Sequence, residues 1–456
     1  MINAAIRMAL RLLPERLRQR ARAVGDEHKD IARGVTTVAI FLIAAKLIVA
    51  IKEMAIAWRF GVSDVVDAYL FVFSLVNWPI MVWFSVLSVV LVPLGARIRN
   101  DRPEEMPGFR AELLGLTLLL GVALSLLAWI GLPVLLRSAL TGLPAATVQQ
   151  VLPMTPPLAM LLLPGMLVSL LSSWMLSAGR HANTFLEAMP ALVILVALLT
   201  FTSPGAEPLL WGTLAGFAFH LASLAVPLAR TGDIELPRFG RHSPQWPAFW
   251  KGCGLMMVGQ ALMSLTNIVD QFFAAHLGAG AIATLGYANR LLTLFLGLGA
   301  TVVSRATLPV FSRMQAQGGR QAQDLAARWA QMFFVFGVMA MVVGWWLAPW
   351  MVRAVFERGA FTALNTAAVA NILRYGMTQL PFYFSGIVLV SLLSSHRKYW
   401  TLTVIGGVNL CIKAGLNWAL MPSFGVSGLM IASSVMVAMS TLLLRLMLSR
   451  SYVMKH

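Results

Sequence analysis

Residues 44–61 read AAKLIVAIKEMAIAWRFG, a stretch apolar enough for a lipid bilayer that nevertheless carries Lys46, Lys52 and Glu53 within eight positions. An ionisable side chain at the centre of a membrane helix costs at least ~2.5–3.5 kcal/mol even on the lenient insertion scale. A segment that keeps three of them has a use for their charge. Around it, 59% of the 456 residues are hydrophobic and 12% charged, whereas soluble domains carry about twice that charge. The chain is therefore an integral membrane protein. Its net charge of +17 does not mark a nucleic-acid binder, because no polar domain is available to display a basic patch.

Apolar segments of spanning length fall at about 36–58, 66–96, 112–137, 152–178, 184–203, 208–229, 248–276, 281–311, 329–352, 364–394, 399–420 and 426–448. They predict an all-α polytopic fold of twelve transmembrane helices. Kinks are expected at Pro79, Pro164 and Pro381, where the ring removes a helix hydrogen bond. Lys and Arg crowd the two tails and the connections 97–110, 180–183, 230–251, 313–328 and 396–398, while the other loops hold only Arg59, Arg137, Arg353 and Arg358. This bias places both termini in the cytoplasm. Residues 1–35 are rich in arginine and fit either an amphipathic helix on anionic headgroups or a solvated tail; they lack the uninterrupted apolar core of a signal peptide. Cys253 and Cys411 have no CxxC or Cys/His company, so neither a disulfide nor a metal site is expected.

The chain resembles itself at a shift of about 217 residues. EMAIAWRFG at 53–61 aligns with DQFFAAHLG at 270–278, setting Glu53 opposite Asp270, and VPLGAR at 92–97 aligns with LPVFSR at 308–313. VSLLSS occurs at both 168–173 and 390–395. Six spans separate the copies, an even number, so both point the same way through the membrane. The expected organisation is an N-terminal lobe over 36–230, a cytoplasmic linker over 231–247, a C-terminal lobe over 248–449 and a short tail over 450–456. Two repeats of this kind are typical of secondary transporters, whose substrate lies between them.

The remaining basic residues lie within spans: Lys46, Lys52, Arg290, Arg305, Arg374, Lys413 and Arg445. Around a shared cavity the first six outnumber Glu53 and Asp270, an excess that favours an anion. Arginine in particular suits phosphate, because its planar fork donates two hydrogen bonds at once. Polar stripes support a lined cavity: Gln260, Ser264, Asn267 and Gln271 share a face of span seven, and Asn409, Lys413 and Asn417 one of span eleven. The alternative is structural. Lys46, Lys52 and Glu53 could form an ion-pair network that fixes packing, Asp270 could pair with Lys413, and Arg305 and Arg445 could snorkel to the interface. Asp67, Glu187 and His220 stand isolated or near span ends and are given no chemistry. No Walker loop, GxSxG or HExxH is present, and the cytoplasmic loops are too short for a nucleotide domain. The chain reads as a non-enzyme without cofactor.

Four stretches carry a family resemblance: KEMAIAWRFGVSDVVDAY at 52–69, IVDQFFAAHLGAGAIATLGYANRLLTLFLGL at 268–298, TLPVFSRM at 307–314 and VFERGAFTALNTAAVANILRYG at 355–376. They resemble the MurJ/MviN family of lipid-linked glycan flippases, in the superfamily that also holds the MATE drug exporters. The resemblance implies two six-helix lobes that alternate access to a cationic cavity in the bacterial inner membrane. Through it an undecaprenyl-diphosphate-linked glycan would pass to the outer leaflet, with glycosyltransferases or polymerases as partners. It places the family's first-span arginine pair on Lys46 and Lys52, its span-eight arginine on Arg290 and its following acid on Glu53. Arg374 and Arg305 would assist on the cytoplasmic path, while Glu53, Asp270, Lys413, Asn267 and Asn409 would orient charge or couple it.

Three departures accompany the resemblance. Span two carries no charge over 73–93, and the spans stop at twelve where peptidoglycan-precursor members usually have two more. Lys413 stands where some relatives carry an acid that, with the aspartate matching Asp270, could hold sodium. Its ammonium would replace the ion, and transport would be sodium-independent. These departures leave two substrates open, a lipid II-like peptidoglycan precursor and an exopolysaccharide repeat unit. Two other functions also remain: a cation-coupled drug exporter on the same fold, and a non-transporting scaffold of a glycan-assembly complex.

Overall fold

The structure, a computed structural model, describes residues 41–178, 183–203, 205–316, 320–395 and 399–453. The basic tail over 1–35 lies outside the described residues, as does the short loop at 396–398. Among the described residues there is no strand. That follows from the solvent, since a segment in lipid must satisfy its backbone polar groups internally and an isolated helix does so. The principal helices are α1 (41–60), α2 (Asp64–Asp101), α3 (Met106–Arg137), α4 (Leu162–Ser177), α5 (Met189–Thr200), α6 (Glu207–Arg230), α7 (Trp246–Ala275), α8 (Ala281–Ala316), α9 (Arg320–Phe356), α10 (Ala363–Met377), α11 (Leu380–Ser395), α12 (Tyr399–Phe424) and α13 (Val426–Val453).

Eight helices among the described residues are long and apolar enough to cross a membrane, and ten spans result if each of two bent pairs counts as one. The bends are 46° where the turns over Ala145–Ala159 meet α4, and 43° between α10 and α11. Each break precedes a proline, Pro164 or Pro381, whose ring excludes the carbonyl four residues before it. These prolines are themselves 217 residues apart, so the repeat seen in the sequence reappears as equivalent broken helices. Pro79 produces no break, and α2 continues through it as one helix. Two of the twelve expected spans fall outside the count by length and composition. Helix α1 carries Lys46, Lys52, Glu53 and Arg59, and α5, with 12 residues, is ~18 Å long against a hydrocarbon core of ~30 Å.

Within the N-terminal half α2 packs on α4, and α5 on α6; within the C-terminal half α9 packs on α11, and α12 on α7 and α13. Lipid offers little hydrophobic drive for helix pairing, so close backbone approach at small residues matters. At Gly216 of α6, an added Cβ would stand 2.8 Å from the Cα of Pro190 at the start of α5. The halves meet where α2 touches α7 and α8. Trp78 donates its indole N–H to Ser264 across that seam at 2.9 Å.

The apolar core divides unequally. At the end where Gly61, Gly280 and Phe361 lie, one continuous cluster joins both halves, with Ile56, Val66 and Phe71 packed together with Ile282, Tyr287 and Phe356. Towards the opposite end two clusters separate. One, built on Trp83, Leu113 and Trp174, belongs to the N-terminal half with the start of α7; the other, on Val303, Phe311 and Leu392, belongs to the C-terminal half. Among the described residues the buried core is thus fused at the Gly61 end and divided at the other. The connection over 231–245 is held to α3 at the divided end. Buried Glu112 accepts from the backbone N–H groups of His242 (2.8 Å) and Ser243 (3.0 Å) and from the Trp246 indole (2.6 Å), while Arg110 pairs with Asp233 at 2.9 Å.

Candidate functional site

On α1, Lys46, Val49, Ala50 and Glu53 follow one another at helical spacing and share a face. That face meets Asn289, Arg290, Thr293 and Leu294 of α8 and Val355 and Phe356 of α9 around a cavity of about 270 Å³. Helix α1 belongs to one half and the other two helices to the other, so the cavity lies between the halves. Glu53 links them. One carboxylate oxygen is 2.6 Å from Lys52 Nζ and the other 2.7 Å from Arg290 Nε. The guanidinium also lies over the Tyr287 ring, 5.4 Å from its centroid, and Tyr287 donates its hydroxyl to the Gly61 carbonyl at 2.9 Å. Arg290 is therefore fixed by its Nε edge and its face. Its Nη1 is buried without an acceptor among the described residues.

The charge of this cluster is unbalanced, since three cations meet two carboxylates: Lys52 and Arg290 pair with Glu53, and Lys46, on the cavity wall, lies in the field of Glu187. One carboxylate between two cations limits the energy of the unoccupied site while leaving it net positive. Asn289 and Thr293 add uncharged polar groups, and the rest of the wall, with Val49, Leu291, Leu294, Val355 and Phe356, is apolar. Such a cavity suits a ligand that is anionic at one end and greasy beside it.

At the fused end, three backbone-directed contacts close the bundle next to this cavity. Asp67 of α2 accepts from the N–H groups of Gly280 and Ala283, both at 2.6 Å, and so supplies a carboxylate to the N-terminus of α8 in the other half. Unsatisfied N–H groups and the helix dipole favour an anion there. The turn that presents them needs a left-handed residue, with Gly280 at φ 81. Tyr287 to Gly61 is the second contact, and the N–H of Ala360 to the Trp58 carbonyl at 2.8 Å is the third. Gly61 permits the close approach, because a Cβ there would stand 2.4 Å from the Ala360 carbonyl oxygen. Sequence reasoning gave Asp67 no role. Its partners lie more than two hundred positions away, and only the Gly278-x-Gly280 turn before α8 hinted at an exposed helix start.

The other acid belongs to a separate network in the C-terminal half. Asp270 on α7 accepts from Lys413 Nζ at 2.9 Å and from Asn417 at 2.8 Å. Lys413, at 1% exposure, also donates to the Leu429 carbonyl at 2.8 Å and to the Ser433 hydroxyl. The ammonium thus sits among a carboxylate, a carbonyl and a hydroxyl. Asn409 donates to Ser440 at 3.2 Å, and Asn267 is exposed on α7. Arg374 is turned onto the neighbouring helix, donating to the Trp345 carbonyl at 3.1 Å, and does not line the cavity at Glu53. The Arg305 side chain lies outside the described residues. Among those residues no group of three or more His, Cys, Asp or Glu is placed to hold a metal.

Comparison with known proteins bears on what this arrangement is. Residues 56–456 match the family described as MurJ, lipid II flippase MurJ. The chain belongs to the MurJ lipid II flippase family. A relative from Bdellovibrio bacteriovorus named "Probable lipid II flippase MurJ" is 27% identical over 267 residues, 57% of this chain and 51% of that protein, so the match spans about half the relative's length. Among solved structures, "Lipid II flippase MurJ, inward closed conformation" superposes with a TM-score of 0.79 at 19% identity, over 91% of this chain and 87% of that one. An inward-facing multidrug resistance MATE transporter of the MOP superfamily gives 0.75 at 14% identity, over 91% and 98%. The fold is therefore the all-helical, two-lobed one that MurJ and MATE proteins share.

The Lys413–Asp270 pair makes a stability prediction. Removing one member of a buried pair strands the other charge, at about 3–5 kcal/mol, whereas replacing both with apolar residues is often neutral. Lys413→Met should lower the thermal unfolding temperature of the purified protein, and Lys413→Met with Asp270→Leu should restore most of it. Additive losses in the double variant would show that the pair does not act as a unit.

Proposed function

We propose that this protein moves a polyprenyl-diphosphate-linked glycan across the bacterial inner membrane by alternating access of its two halves. The observation that carries the reading is the Glu53 bridge, which holds Lys52 and Arg290 of opposite halves at one amphiphilic cavity. The free Nη edge of Arg290 is suited to a diphosphate oxygen, Lys52 and Lys46 add positive charge, and the apolar wall accommodates the start of the lipid. Membership in a family described by lipid II flipping supports a lipid-linked precursor. A lipid II-like peptidoglycan precursor and an exopolysaccharide repeat unit share the diphosphate and polyprenyl chemistry that the cavity would engage. Glycosyltransferases or polymerases acting on either would be partners.

The Lys and Arg bias puts the divided end in the cytoplasm, with both termini, and the fused end outside. In that orientation the glycan enters from the divided end, and Asp67, Tyr287 and Ala360 bar its exit. Release requires those three contacts to break while the divided end closes. No step makes or breaks a covalent bond, so the protein acts as a carrier. A drug exporter of the same fold would need a carboxylate able to exchange a proton for a cationic drug. Glu53 and Asp270 are each already held by basic side chains, which disfavours that exchange.

Complementation tests the reading. Expressed in bacteria depleted of their lipid II flippase, the wild-type chain should restore survival and outer-leaflet lipid II, while Lys52→Ala and Arg290→Ala, inserted at equal levels, should not. Rescue by both variants would sink the assigned site. Failure of the wild type, with export of an exopolysaccharide restored in the matching deletion strain, would select the second glycan. Because Lys413 already places an ammonium against Asp270, transport in reconstituted vesicles should keep its rate when sodium is replaced by choline; a drop of tenfold or more would show that the lysine does not substitute for an ion.

A further inference from the structure

A second cavity, of about 320 Å³, lies wholly within the C-terminal half, along α11 between α9 and α13. Its floor is set by close packing. A Cβ on Gly337 of α9 would stand 2.5 Å from the Pro381 Cα, and one on Gly386 of α11 would stand 2.9 Å from the Thr441 hydroxyl of α13. Thr441 in turn donates to the Phe382 carbonyl at 2.9 Å. With both flanking helices held against α11, their outer faces leave a groove whose rims, Val335 and Leu442, are exposed at 58% and 57%.

The groove is graded in polarity. On α13, Ala438, Thr441, Leu442 and Arg445 climb one face, so Arg445 stands ~10 Å along the helix from Ala438. Gln331 of the antiparallel α9 lies at the same end, and Phe334 and Phe382 fill the deeper part. That polar end is the divided end of the bundle, since Ala330 and Leu444 belong to its core cluster. Arg445 is exposed and makes no hydrogen bond or ion pair among the described residues. Among the described residues no carboxylate lines the groove. An unpaired guanidinium above an apolar trough matches a phosphate above an acyl chain, and basic pockets between helices at a cytoplasmic interface hold anionic headgroups.

We propose that this groove binds one anionic phospholipid from the leaflet at the divided end, with an acyl chain along Phe334, Val335 and Phe382 and its phosphodiester on Arg445. The site is separate from the Glu53 cavity and does not depend on which substrate that cavity carries. The full-length protein, purified in detergent, is titrated by native mass spectrometry with phosphatidylglycerol, with phosphatidylcholine of identical chains, and with undecaprenyl phosphate. The first phosphatidylglycerol should bind about fivefold more tightly than phosphatidylcholine, the contribution of one basic side chain near an anionic headgroup. Arg445→Gln should erase that preference, Arg445→Lys should keep most of it, and Ala438→Phe should weaken both phospholipids alike, with unfolding temperatures unchanged. The same phosphatidylglycerol preference in Arg445→Gln would overturn the proposal. So would undecaprenyl phosphate displacing phosphatidylglycerol at lower concentration in an Arg445-dependent manner, which would assign the groove to the carrier lipid.

Discussion

Glu53 stands between Lys52 of its own helix and Arg290 of the opposite half, and the cavity between the halves exists in its present form because that carboxylate is there. Without it, two cations would face each other in a medium that screens them poorly, and the local packing of α1 against α8 would lose its electrostatic reason. With it, the site is tolerable when empty yet still net positive. Tyr287 makes the arrangement cooperative with the rest of the bundle, since one ring both supports the Arg290 guanidinium and hydrogen-bonds the Gly61 carbonyl at the fused end. A change in the charge around Arg290 is therefore felt one turn away at the closure.

That closure is the natural two-state element. Packed interfaces tend to occupy discrete arrangements rather than deform continuously, and a ligand shifts such an equilibrium only by its differential affinity for the two states. The fused core, the Asp67 contacts to the start of α8 and the Ala360–Trp58 hydrogen bond all belong to one state. At the divided end the described core forms two clusters, with the start of α7 packed into that of the N-terminal half, while the connection over 231–245 stays on α3 through Glu112 and Arg110. Under the proposed function, a glycan carrier engaging Arg290 would compete directly with the Glu53 carboxylate, and through Tyr287 it would act on the contacts that hold the fused end shut.

The helical architecture was legible because lipid leaves few alternatives and because the repeat was written plainly: Glu53 against Asp270, and Pro164 against Pro381. The breaks before Pro164 and Pro381 were foreseen from the ring's effect on a helix, whereas Pro79, of identical chemistry, is carried inside α2. The charged residues were easy to find, as each is conspicuous in an apolar span. Their grouping was not, since an alignment of the two halves does not say which side chains face each other. Glu53 and Asp270 align in sequence yet serve different networks, one between the halves and one inside the C-terminal half. Asp67 escaped notice because capping N–H groups 213 and 216 positions away leaves no local pattern. Arg374 looked like a cavity residue but satisfies itself on the Trp345 carbonyl of its neighbour.

The account rests on Glu53 as a competitor for the cations that take the diphosphate. The most direct measurement pairs affinity with transport in one variant: binding of a short-chain polyprenyl-diphosphate glycan to purified wild-type and Glu53→Gln protein by native mass spectrometry, beside the rate at which each moves it in reconstituted vesicles. With the carboxylate gone, Lys52 and Arg290 are left to the ligand alone, so the variant should bind more tightly and transport more slowly. Weaker binding in the variant, or an unchanged transport rate, would contradict the claim that this carboxylate sets the balance between capture and release.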